Sequence, residues 1–152
     1  MLIDSYNRVI DYLRIAVTDR CNLRCVYCMP PEGIEPLPHS EILSYEEILR
    51  VARIAIDLGI TKIRLTGGEP LLREDLEDLL AHARQVGLRT VLNTKGVGLR
   101  ERPDLMRLAD VIVLGIDSLD VPKLAEMIGR PADAAERILD ALDFALAARG
   151  KA

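Results

Sequence analysis

Four short stretches, residues 13–18 (LRIAVT), 62–66 (KIRLT), 89–94 (RTVLNT) and 111–116 (VIVLGI), alternate with segments of helical apolar period. Repeated strand–helix alternation leaves few solutions: the strands align as a parallel sheet and amphipathic crossover helices cover it. The pattern predicts an α/β fold of about four βα units with a C-terminal helix. A chain of 152 residues can bury a core of that kind. Its 49% apolar content is mostly Leu, Ile, Val and Ala, as buried parallel strands require.

The helices carry their own start and stop signals. Ser44 with Glu47 forms a capping box, and Leu43 and Ile48 are spaced for a hydrophobic staple. Ile48, Val51, Ala52, Ala55 and Leu58 then share a face until Gly59. Leu76, Leu79, Leu80 and Ala83 give the next helix its buried stripe before Gly87. A short helix is expected over 103–109, and another over 122–128, capped by Asp120 and broken by Gly129 and Pro131. Asp133 and Glu136 predict a second capping box, opening a helix over 134–149 whose face is Ala135, Ile138, Leu139, Leu142, Ala145 and Leu146.

Composition narrows the function classes. No apolar run approaches a membrane span, and a net charge of −4 without a basic stripe argues against nucleic acid and membrane partners. The first fifteen residues are charged throughout with no apolar signal core, so a cytoplasmic chain is expected. Disulfides are disfavoured there.

All three cysteines, Cys21, Cys25 and Cys28, fall within TDRCNLRCVYCMP as C-x3-C-x2-C. Three thiolates can hold three irons of a [4Fe–4S] cube and leave the fourth iron to a small molecule, whereas electron-transfer clusters take four cysteines. A structural zinc site also wants four ligands, and the nearest further candidate, His39, lies beyond a proline-rich loop. The spacing points to a reaction centre. Each of the other motifs, TGGEP (66–70), NTKG (93–96) and GIDSLD (115–120), also directly follows an expected strand, so all meet at the carboxyl edge of the sheet, where ligands bind in α/β folds. Gly67 and Gly68 allow close backbone approach, and Glu69 can accept from an ammonium group. Taken alone, TGGEP also reads as an ordinary tight turn with a solvated Glu.

The cysteine spacing, Tyr27 just before the last cysteine, and GGEP after the second strand resemble the radical S-adenosylmethionine (SAM) superfamily. The resemblance implies an incomplete (βα) barrel, with Cys21, Cys25 and Cys28 as the metal ligands of a catalytic [4Fe–4S] cluster. It also implies that Gly67, Gly68 and Glu69 contact the methionine part of SAM, and Tyr27 its adenine. VIDYLRIAVTDRCNLRCVYCMPPEGI and LPHSEILSYEEILRVARIAIDLGITKIRLTGGEPLLREDL are similar to the GTP 3′,8-cyclase family of molybdenum cofactor biosynthesis. That similarity implies a lyase in which the radical generated from SAM cyclises GTP, with Arg14, Arg64 and Thr94 contacting GTP and a reductant such as flavodoxin or ferredoxin as partner. Asn93-Thr94-Lys95-Gly96 departs from the family's T-T-N-G, and Gly115-Ile116-Asp117 departs from its S-L-D, whose serine binds the SAM ribose. The family continues past this length with a second three-cysteine cluster, so residues 1–152 are expected to form a single partial core domain. A homo-oligomer or a partner chain completing the barrel is expected, and the alternatives to the cyclase are a non-catalytic remnant or subunit that binds the cluster and SAM, or a radical SAM enzyme with another substrate.

Overall fold

The structure, a computed structural model, describes residues 1–149. A small antiparallel hairpin comes first, β1 (Leu2–Ile3) with β2 (Val9–Ile10). The Asp4 carboxylate closes it by accepting from the Tyr6 and Arg8 amides at 2.8 and 3.0 Å, an Asx-type turn with Asn7 at φ 60°.

The main sheet consists of β3 (Tyr12–Ala16), β4 (Lys62–Thr66), β5 (Arg89–Thr94) and β6 (Val111–Leu114), side by side in chain order and all parallel. Helices α1 (Tyr45–Asp57), α2 (Leu76–Gln85) and α3 (Leu105–Leu108) connect successive strands, and α4 (Val121–Ile128) and α5 (Ala132–Arg149) follow β6. This is the α/β arrangement expected of an open (βα) barrel. Strand alternation divides the sheet into two faces. Ile15, Ile63, Leu65 and Leu92 point into one apolar core with α1, α2 and α3. Tyr12, Arg14, Lys62 and Arg64 occupy the opposite face, in register as Tyr12↔Lys62 and Arg14↔Arg64.

The Ser44 capping box forms in full: the Glu47 amide donates to Ser44 Oγ at 3.2 Å, and the Ser44 amide to Glu47 Oε2 at 2.8 Å. The α1 stripe is rotated from its expected position. Ile48, Ala52 and Ala55 are buried with Leu49 and Ile56 beside them, while Val51 is 36% and Leu58 44% exposed. The sheet meets α1 along a narrow i, i+4 ridge, so residues at the margin of the apolar arc stay in solvent.

The second capping box is absent, because α5 begins at Ala132, directly after Pro131, and Asp133 lies inside its first turn. Proline's fixed φ suits a helix start and moves the boundary forward. The helix docks through Ala135, Ile138, Ala141 and Phe144; Leu146, expected on its buried face, is 58% exposed. A second, smaller core joins α4 and α5 to Leu23 and Cys25 of the loop after β3.

The rotated stripe sets a test. Ile48→Ala should cost about 3 kcal/mol in urea unfolding and Val51→Ala less than about 0.5 kcal/mol. Equal costs would return α1 to the face read from the sequence.

Candidate active site

The cysteine loop leaves β3 while still paired to β4. The Val17 amide donates to the Thr66 carbonyl, the Gly68 amide to Thr18 and the Glu69 amide to Arg20, each at 2.8 Å. Parallel pairing thus runs past both strands into the two motif loops. Close approach explains the glycines: a Cβ at Gly67 (φ 138°) would stand 2.3 Å from the Thr18 carbonyl oxygen, and one at Gly68 would stand 2.2 Å from that of Arg20. Both glycines remain exposed beside the cysteines.

Glu69 turns inward. It is 1% exposed, and its carboxylate accepts from the Thr94 hydroxyl at 2.5 Å, the Leu71 amide at 3.0 Å and the Lys95 amide at 2.9 Å. Burial pushes its pKa above the ordinary 4.5, against the pull of those three donors. Three of the roughly four lone-pair sites of a carboxylate are thereby used. Thr94 is buried as well, donating to Glu69 while accepting from the Gly96 amide at 2.8 Å. The structure therefore places Thr94 as the residue that holds Glu69.

The three thiols lie on one loop in graded environments: Cys25 buried, Cys21 half-buried, Cys28 exposed. A turn brings the last two together, the Cys28 amide donating to the Cys25 carbonyl at 2.8 Å. Burial raises the Cys21 thiol; the Leu23 amide opposes this, and the negative charges of Glu69, Cys25 and Cys28 reinforce it. Three thiolates in mutual electrostatic reach repel one another, and a cationic iron–sulfur group would relieve that repulsion. Among the described residues no three His, Cys, Asp or Glu side chains converge as ligands of a single ion. A cube instead distributes three thiolates over separate irons, and this donor set of three thiols fits such a group.

Tyr27, between the last two cysteines, makes a contact that sequence reasoning missed. Its hydroxyl donates to Asp117 at 2.9 Å and accepts from the Lys95 ammonium at 2.8 Å, while Lys95 also pairs with Asp117. Partial burial works to lower the Lys95 pKa, but the bonds to Asp117 and Tyr27 outweigh it and leave it raised. The triad ties the cysteine loop to the ends of β5 and β6. A lysine after one strand and an aspartate two residues past the equivalent glycine of the next was the available signal.

Arg14 and Arg64 stand side by side without a carboxylate partner among the described residues, and Arg64 Nε is buried with no acceptor. Arg64 instead lies 5.4 Å from the centroid of the Tyr12 ring. The basic trio Arg100, Arg102 and Arg107 is occupied otherwise, pairing with Asp140, Glu77 and Asp104. His39 is exposed, and among the described residues no helix is long and apolar enough to cross a membrane.

An open βα sheet with a three-cysteine loop after its first main strand and a Gly-Gly-Glu-Pro turn after its second is the arrangement of enzymes that draw radicals from S-adenosylmethionine. The chain belongs to the radical SAM superfamily, whose family model matches residues 15–151. It is 48% identical to the GTP 3′,8-cyclase of Geobacter sulfurreducens over 97% of its own length and 46% of the relative's. It is also 48% identical to molybdenum cofactor biosynthesis protein 1 of Bos taurus, over 85% of its length and 21% of the relative's. The chain thus spans less than half the length of these curated relatives. Among solved structures, Streptococcus suis SuiB bound to its precursor peptide SuiA matches with a TM-score of 0.70 and 21% identity, over 89% of this chain and 30% of SuiB, which supports the fold. The superfamily implies a [4Fe–4S] cluster and SAM.

Thr94→Val tests the tie to Glu69. It should destabilise the chain by about 1–3 kcal/mol near neutral pH, since a buried carboxylate loses a donor. Its loss raises the Glu69 pKa further and opposes the charged form, so the deficit should shrink as pH falls through that raised titration toward 4.5, where Glu69 takes up its proton. Urea midpoints at acid and neutral pH check this; a deficit independent of pH would refute it.

Proposed function

We propose that this chain is the cluster- and SAM-binding part of a GTP 3′,8-cyclase, a cytoplasmic radical SAM lyase of molybdenum cofactor biosynthesis. The observation that carries the substrate is the pairing of Arg14 with Arg64. Two arginines in register on adjacent strands, without a carboxylate partner among the described residues, stand on the sheet face opposite α1, α2 and α3 and can serve a polyanion such as a nucleoside triphosphate. Close identity to the Geobacter cyclase along nearly the whole chain supports the same reading.

In this reading Cys21, Cys25 and Cys28 hold the cluster and leave one iron open to the amino and carboxylate groups of SAM. When bound and reduced, the cluster supplies the electron that breaks the sulfur–C5′ bond of SAM. The protein's share is positioning. Gly67 and Gly68 let the turn close on the Thr18 and Arg20 carbonyls and stay exposed, so that their backbone can meet the methionine part, Glu69 has one acceptor site left for its ammonium group, and Tyr27 borders the adenine. Thr94 and the Leu71 and Lys95 amides keep the Glu69 carboxylate fixed. Flavodoxin or ferredoxin is the class of reductant, and the residues that complete the GTP site come from the remainder of a family member or from a partner chain.

A second reading, a chain that binds the cluster but turns nothing over, is favoured by one observation. The Lys95 stem lies over Gly115, so that a Cβ there would stand 3.3 Å from Lys95 Cδ, and the family's ribose-binding serine is missing. Formation of 5′-deoxyadenosine on adding reductant and SAM separates the readings.

Anaerobic reconstitution should give about four irons per chain, and Cys25→Ser should abolish the cluster. Arg14→Ala with Arg64→Ala should weaken GTP binding by about tenfold or more, since each loses a charged contact. Stoichiometric zinc with no iron uptake would refute the first expectation, and unchanged GTP affinity the second.

A further inference from the structure

The cysteine loop has a second anchor, far away in sequence. The Arg24 and Val26 amides donate to the Ile128 and Met127 carbonyls, at 2.8 and 3.0 Å, on the last turn of α4. Carbonyls there have no donor within their own helix, so loop and helix satisfy each other. Arg130 reinforces the seat, its Nε donating to the Asn22 carbonyl at 2.6 Å across 108 residues of sequence.

Between these bonds the backbones come so close that only glycine fits. Gly129 ends α4 with φ 60°, and a Cβ on it would stand 2.3 Å from the Arg24 carbonyl oxygen and 2.9 Å from Arg24 Cβ. Beneath the seat, Leu23 and Cys25 pack with Leu124, Ile128, Ala135 and Ile138. Cys25 therefore sits between two tethered amides, and the Asn22 carbonyl next to Cys21 is tethered too.

We propose that Gly129 and Arg130 are positioning residues for the metal-binding loop: the C-terminal turn of α4 fixes where Cys21 and Cys25 stand, and so governs how firmly the iron–sulfur cluster is held. The proposal rests on the reading that these cysteines bind a cluster. Groups that fix ligand geometry without touching the metal commonly change its affinity by about 10–100-fold, and the loop's own backbone bonds, from the Cys28 and Met29 amides to Cys25, begin only at Cys25.

The experiment uses the full chain, reconstituted anaerobically with iron and sulfide and challenged with a chelator. Gly129→Ala should shorten the half-time of cluster loss by about tenfold or more, with Arg130→Met acting in the same direction. Both should alter the EPR line shape of the reduced cluster, and Arg130→Met should lower the urea midpoint of the metal-free chain no more than Gly87→Ala does. Gly87→Ala is the control, since Gly87 shares the positive φ, at 90°, but a Cβ there meets nothing within 4 Å. It should keep wild-type cluster lifetime and line shape. If Gly129→Ala does not fold, Arg130→Met decides alone, because it removes one side-chain bond and leaves the backbone seat intact. Wild-type lifetime and line shape in the variants of a loaded protein would overturn this proposal alone; a wild-type chain that takes up no iron would overturn the cluster reading with it.

Discussion

A carboxylate buried at the carboxyl ends of the strands organises that edge of the sheet. Glu69 is reached by the Thr94 hydroxyl and by amides of its own turn and of the β5 end, while its own amide bonds the Arg20 carbonyl at the entrance to the cysteine loop. Three motifs distant in sequence therefore converge on one residue, two of them on its side chain and the third on its backbone amide. A buried acid raised in pKa is unstable unless every donor is in place. Its satisfaction makes the relative positions of the glycine turn, the cysteine loop and the β5 end mutually dependent.

Around that point the cysteine loop is held on several sides. Parallel pairing with the glycine turn supports its entry, α4 supports its middle, and the Tyr27–Lys95–Asp117 triad supports its far end. The loop carries few internal backbone bonds, so its shape is imposed by its surroundings. A metal site on such a loop is preorganised by tertiary contacts.

Local signals in the sequence were enough for the four parallel strands, the Ser44 capping box and the α2 stripe of Leu76, Leu79, Leu80 and Ala83, because each depends on neighbours within a few residues. The three cysteines and the Gly-Gly-Glu-Pro turn were legible for the same reason. The rotation of α1 and the early start of α5 were not, since the packing of α1 on the sheet and a preceding proline decide them. Nor were the Gly129 seat and the Tyr27–Lys95–Asp117 triad, which join segments 68 to 108 residues apart. Glu69 and Thr94 were recognised as site residues, yet their bond to each other carries no periodic trace. Sequence placed both at the same sheet edge and went no further.

The packing of Lys95 over Gly115 couples the two positions. A Cβ at position 115 would stand 3.3 Å from Lys95 Cδ, tighter than most contacts, so the stem of the lysine that bonds Tyr27 and Asp117 would have to give by a few tenths of an ångström. Two of the departures from the family pattern, lysine at 95 and glycine at 115, are therefore in direct contact, and substitutions at them should not act independently. Grafting either residue singly into a relative transfers half of a matched pair.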